Sequence, residues 1–355
     1  MYETPPNMMP DQKGQEKAYN SPQYYIMEAV SHPDFQDYPE GVHLLVFDKS
    51  CENNETQRQP VPIFDAREED HRGLIAQHYS NYDEMGVVHG VGLYGAVWPV
   101  RSSDTTNAAG ERVKEKLPGE KAPIYILPED LAKVTDVEQI HDDFRQYFEN
   151  EQAIKGLYKN APAIHLIVPV KENTDISSVF ITYPEDWAKK GASEEQHLSV
   201  PTISAFYWYD PDHERIAAMT KEYLQDGNIA ISSFNKHGEQ PAWEFKDLLK
   251  YIEANGCPFD YVVHDPLIEQ ISVGSSFVQI APPLKGEDAC WKVYRTGPTA
   301  IDKYLERIQS EHGYKVVEGA TEAARKDELR GQDLDSAMLA ALDAVLSRQQ
   351  QEEVE

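Results

Sequence analysis

The sequence predicts an α/β protein, on three observations. From about residue 86 onward, apolar runs of strand length alternate with amphipathic stretches, the pattern of helices packed on a sheet. Apolar residues make up 40% of the chain and aromatics 10%, a composition that builds a core rather than a disordered coil. At 355 residues the chain is long enough for one large domain or two ordinary ones.

Taken in order, residues 1–22 are rich in Pro, Asn, Gln and Lys without periodicity and read as a mobile polar leader. A short strand is expected at 43–47, and 51–62 (CENNETQRQPVP) reads as a loop into the main domain. Further strands are expected over 86–97, 123–127, 163–170, 179–182, 202–209, 228–232, 261–263, 276–280 and 291–294. Apolar residues three or four apart predict helices over 137–150, 214–224, 243–255 and 299–311. Beyond Gly313 the composition shifts to Glu, Ala, Arg, Asp and Gln. Leu334, Met338, Leu339, Leu342, Val345 and Leu346 mark one more amphipathic helix there, either docked on the domain or free for a partner. The expected organisation is a polar leader and loop over 1–60, an α/β domain over 61–312 and a charged helical tail over 313–355.

A formal charge of −28 and a pI near 4.7 oppose non-specific affinity for nucleic acid or an anionic membrane. Residues 1–20 carry no apolar signal-peptide core, and no run of about 18 apolar residues occurs, so a cytoplasmic protein without a membrane span is expected. Cys51, Cys257 and Cys290 lie far apart with no CxxC pair, which fits a reduced compartment and points to neither zinc nor disulfides.

The stretch carrying most chemistry is GNIAISSFNKHG, from Gly227 to Gly238. A strand ending in Ser233-x-Asn235 before a glycine presents a hydroxyl and an amide at a sheet edge, where open α/β sheets bind ligands. A polar turn capping the following helix would produce similar residues. His237 and His264 lie near this stretch, but no carboxylate or cysteine stands at ligand spacing, so no metal site is expected. His165, in an apolar strand, reads as a core histidine.

The residues beyond Gly238 extend the pattern. A helical stretch leads to Phe259-Asp260-Tyr261-Val262-Val263, then Gly274-Ser275-Ser276-Phe277-Val278, then Trp291-Lys292-Val293-Tyr294-Arg295-Thr296-Gly297. In that order, with Ser233, Asn235 and Gly238 ahead of them, these pieces resemble the Sua5/YciO/YrdC family. That family has a Ser-Ala-Asn-x-Ser-Gly signature, an apolar strand near Asp, a Gly-x-Ser-Thr-Val-like strand and a closing Val-Leu-Arg-x-Gly. Upstream, Gly95 to Asp104 is similar to the family's Gly-Gly-Val strand and its Pro-Thr-Asp-Thr, and Lys114-x-Lys116 with Pro118 is similar to its Lys-x-Arg-Pro. The family's Tyr-Gly pair is absent, and Lys116 stands where an arginine would.

The resemblance implies a YrdC-like (DHBP synthase RibB-like) twisted mixed sheet flanked by helices. It also implies threonylcarbamoyl-adenylate synthesis from ATP, bicarbonate and an amino acid, threonine first, for tRNA modification, with Mg²⁺ accompanying ATP. Such an adenylation needs cations and hydrogen-bond donors around the α-phosphate. The residues implied are Lys116, Asn235 and Arg295 for catalysis, and Lys114, Ser233, Ser275 and Ser276 for holding the nucleotide. No Walker-type glycine loop is present. The alternative is a YrdC-like nucleotide- or RNA-binding protein that has lost the reaction. Binding of tRNA or double-stranded RNA is implied by the resemblance and opposed by the net charge.

Overall fold

In the computed structural model the residues described are 24–50, 56–90, 93–105, 121–140, 145–160, 164–189, 198–207, 211–224, 227–235, 242, 244–264, 276–279, 291–295 and 316–318. They form the expected mixed α/β architecture. The strands are β1 (Tyr24–Glu28), β2 (His43–Ser50), β3 (Thr56–Phe64), β4 (Gly86–Gly90), β5 (Leu93–Val100), β6 (Ile124–Tyr125) and β7 (Ile164–Pro169). They continue as β8 (Ile181–Thr182), β9 (Thr202–Phe206), β10 (Asn228–Ser233), β11 (Tyr261–Val263), β12 (Ser276–Gln279), β13 (Trp291–Arg295) and β14 (Val316–Glu318). The helices are α1 (Glu69–Ser80), α2 (Pro128–Val134), α3 (Glu151–Asn160), α4 (Pro184–Lys189), α5 (Pro211–Tyr223) and α6 (Phe245–Asn255).

All fourteen strands join one sheet in the order β1-β2-β3-β11-β4-β5-β10-β6-β9-β7-β12-β13-β14, with β8 beside β9. The fully buried Trp98, Tyr94, Tyr158, Tyr207, Tyr261, Phe64 and Phe234 anchor the core. Helices α1 and α5 pack together, and the half-buried pair Arg72–Asp212 joins them at 2.5 Å. Helix α6 begins with a capping box between Glu244 and Asp247 and stops at Gly256, whose φ of 78° suits the absence of a side chain.

Four expectations are corrected. The stretch 51–62, read as a loop, contains most of β3, so residue 61 falls inside a strand. The single strand over 86–97 is the antiparallel pair β4 and β5, with Gly90 opposite Leu93. The helix expected over 137–150 begins and ends in 3-10 turns, Val137–Gln139 and Gln146–Phe148, with residue 145 helical and 141–144 outside the described residues. The Arg145 guanidinium donates to the carbonyls of Ile140 and Glu138 at 3.0 Å each. Finally, β14 lies within the stretch assigned to a helical tail, and it pairs in parallel with β13. The helices expected over 299–311 and around Leu334 to Leu346 lie outside the described residues.

Candidate functional site

Strand direction decides which residues can meet. Strands β3, β11 and β4 are mutually parallel, and β10 runs with them because it is antiparallel to β5, itself antiparallel to β4. Their ends, Phe64, Val263, Gly90 and Ser233, therefore share one border, here termed the carboxyl edge. Asn235 stands just past Ser233 at that edge.

The local pairing sets a small residue opposite Ser233. Its register partner on β5 is Gly95, a position that carries no side chain. A methyl group built on Gly95 would meet only ordinary neighbours, the Ser232 carbonyl at 3.4 Å and Ile231 at 3.6 Å. Side chains alternate along a strand, so Ser233 lies on the face opposite Phe234, whose ring is buried against Tyr251 and Phe259.

Ala242 stands at the same edge. Phe234 N–H donates to the Tyr94 carbonyl at 2.9 Å, Tyr94 N–H to the Ala242 carbonyl at 2.8 Å, and Ala242 N–H to the Phe234 carbonyl at 3.3 Å. These three bonds tie Phe234 and Ala242 to the start of β5 and to each other. The Tyr94 side chain then crosses to β11, with its hydroxyl 2.6 Å from His264 Nδ1.

His89 completes a layered cluster. Its ring stacks on Tyr94 with centroids 4.4 Å apart and on His264 at 5.6 Å, and Phe245 of α6 approaches His264 at 5.4 Å. His89 and Tyr94 are fully buried. Burial drives the His264 pKa down from 6.5 to about 4, and His89 and Arg67 push the same way against the opposing charge of Asp65. His264 is therefore a neutral imidazole near neutral pH. Asp65, just beyond β3, holds Arg67 through two side-chain contacts. Sequence reading noted His264 but missed His89 and Tyr94. The signal was Gly90-Val91-Gly92, a glycine-rich stretch inside the supposed long strand.

The remaining candidates separate. Strand β6 is antiparallel to β10, β9 is parallel to β6, β7 antiparallel to β9, β12 parallel to β7 and β13 antiparallel to β12. Ser276, first in β12, and Arg295, last in β13, thus fall at the border opposite Ser233 and Asn235. Five strand spacings also separate β13 from β10, about 24 Å across an unbent sheet. The single constellation expected from Ser233, Asn235, Ser276 and Arg295 is therefore divided between two edges. Lys114, Lys116 and Ser275 lie outside the described residues. Lys121, just before β6, lies 3.3 Å from the Ser178 carbonyl and 3.9 Å from Asp186. Among the described residues no group of three His, Cys, Asp or Glu side chains could hold a metal ion, and no helix is long and apolar enough to cross a membrane.

Solved structures of related shape exist. The chain is similar to Sua5. A double-alanine variant of Sua5 from P. abyssi superposes over 72% of this chain at 17% identity, with a TM-score of 0.46. P. abyssi Sua5 complexed with L-threonine superposes over 72% at 16% identity and a TM-score of 0.44. This chain spans 65% and 62% of the length of those two Sua5 chains. A hypothetical protein from Streptococcus mutans matches 72% of this chain and 97% of its own at 15% identity, with a TM-score of 0.44. No family model and no curated protein matches the sequence.

Proposed function

We propose that the carboxyl edge at Ser233 and Asn235 binds a nucleotide, and that the chain makes an acyl-adenylate from ATP, bicarbonate and an amino acid, with threonine the first to test. One observation supports this reading: the best-preserved motif ends a central strand with Ser233 opposite a glycine and Asn235 two residues on, a hydroxyl and an amide at one sheet edge. In the reaction a carbamate oxygen attacks the α-phosphorus, the bond from that phosphorus to the bridging oxygen breaks, and pyrophosphate leaves. Ser233 and Asn235 donate to carbamate or phosphate oxygens, while Lys114 and Lys116 supply positive charge. Mg²⁺ would enter with ATP. The described residues offer it no cluster of ligands, and no step is assigned to it.

The separation of Ser276 and Arg295 from this edge favours a second reading, a protein that binds nucleotide without turning it over. One experiment divides the two. The protein is incubated with ATP, Mg²⁺, bicarbonate and each amino acid in turn, and pyrophosphate and acyl-adenylate are measured. The enzyme reading expects pyrophosphate with at least one amino acid and a loss on the order of a hundredfold in Asn235→Ala, the size of one lost oxyanion donor. Pyrophosphate from no amino acid, in protein that binds AMP, leaves the binding reading. Absence of AMP binding at millimolar concentration removes both.

A further inference from the structure

We infer that Tyr94 is a positioning residue for the Ser233–Asn235 edge, acting through its hydrogen bond to His264. The inference rests on the proposed function for its ligand, but its structural basis is independent. Four interactions converge on this one residue. Its carbonyl accepts from Phe234, its N–H donates to Ala242, its hydroxyl meets His264 Nδ1 at 2.6 Å and its ring stacks on His89.

Tyr94 is the second residue of β5, and strand ends are where ladders open first. The two backbone bonds at Tyr94 hold Phe234, the residue before Asn235, and Ala242 to the strand end, so fraying there would release the amide from its place beside Ser233. What resists fraying is the side chain. Tyr94 is fully buried, and its hydroxyl is tied across β4 to β11, which sits between β3 and β4 in the sheet interior. The acceptor is well defined. A neutral His264 can take the tyrosine proton at Nδ1 and keep its own on Nε2, whereas a protonated ring would offer two donors to a hydroxyl that also donates. The groups around His264 are His89 on β4, Tyr94 on β5, Asp65 and Arg67 beyond β3, and Phe245 on α6.

The test uses three variants of the full chain. Tyr94→Phe keeps the ring and the backbone bonds but removes the hydroxyl. His264→Phe keeps a ring and removes the acceptor, while His264→Asn restores an acceptor oxygen. Amide exchange at Tyr94, Phe234 and Ala242 is measured by NMR, and AMP affinity by calorimetry. Tyr94→Phe and His264→Phe are each expected to exchange at these three amides at least tenfold faster than wild type and to bind AMP about tenfold more weakly. His264→Asn is expected to return both values toward wild type, a rescue that general loosening of the core would not give. Unchanged exchange in the two phenylalanine variants overturns the inference. So does faster exchange with unaltered AMP affinity, in a wild type that binds AMP. A wild type that binds no AMP defeats the proposed function, and the exchange rates alone then decide whether Tyr94 positions this edge.

Discussion

The ring of Tyr261 lies directly over Gly86. The two are register partners on β11 and β4, and a methyl group built on Gly86 would stand 2.0 Å from Tyr261 Cε2. Tyr261 is fully buried and cannot swing into solvent. Gly86→Ala is therefore expected to destabilise the protein by about 3 kcal/mol, the upper part of the range for overpacking. Gly156 in α3 has nothing within 4 Å of the same construction, so Gly156→Ala should instead stabilise by up to about 1 kcal/mol. Urea titration of both variants checks the contrast; equal midpoints would mean that the Tyr261 ring has room to move.

Arg72 ties α1 to α5 through Asp212 at 2.5 Å, with both side chains only 13% exposed. It also donates to the carbonyls of Ala66 and Arg67. Removing one partner of a fully buried pair costs roughly 3 to 5 kcal/mol, and this pair is half-buried, so the lower bound is the ceiling here. Arg215 lies 3.5 Å from the same carboxylate and would partly compensate. Arg72→Ala is expected near the lower bound, about 3 kcal/mol by urea titration. A loss below about 1 kcal/mol would show that the pair behaves as a surface contact.

The depressed pKa of His264 fixes the sign of a pH effect. The unfolded chain takes up this proton as pH falls through 6.5, whereas the folded protein resists until about 4. Between those values the unfolded state binds more protons, so stability falls as pH falls and is fully present above the unfolded pKa. The loss across the window is on the order of 3 kcal/mol. Carboxylates titrate near its lower end as well, so the measurement is a difference. His264→Asn should flatten the slope of unfolding free energy between about pH 6.5 and 4.5 relative to wild type. Parallel slopes would mean that the imidazole titrates normally.

Much of this fold is legible in the sequence because its strands are short apolar runs. β7, β9, β10 and β11 fall within a residue or a few of where Ile, Val and Phe cluster. β3 was obscured by Pro60 and Pro62. Two residues apart, both lack an N–H on the same side of the strand, and β11 reaches β3 only at Ile63 and Phe64. In the segment read as a helix over 137–150, Ile140 and Phe148 are buried and supply the apolar spacing, although both described ends of the segment are 3-10 turns. At the candidate site, Ser233 and Asn235 stand together because both come from one short stretch. The cluster of His89, Tyr94 and His264 was not legible in the sequence, since it depends on β11 entering between β3 and β4. The same limit applies to Ser276 and Arg295: order along the chain carries no information on which edge a strand ends at.

Gly95 offers a test of the site that leaves its polar residues untouched. In register opposite Ser233, it is the position from which a side chain would reach over the hydroxyl, because cross-strand partners stand about 5 Å apart at Cβ. The backbone tolerates a Cβ here, since the nearest atoms lie at 3.4 and 3.6 Å, so Gly95→Ala should melt near wild type and bind AMP almost as well. Gly95→Leu extends a branched side chain toward Ser233 on the same face and is expected to weaken AMP binding at least tenfold, about 1.4 kcal/mol. Circular dichroism and a cooperative melt establish that both variants are folded, and calorimetry measures the affinities. If Gly95→Leu is folded and binds AMP as wild type does, the nucleotide does not approach the face that Ser233 shares with Gly95, and the carboxyl edge of β10 is not its site.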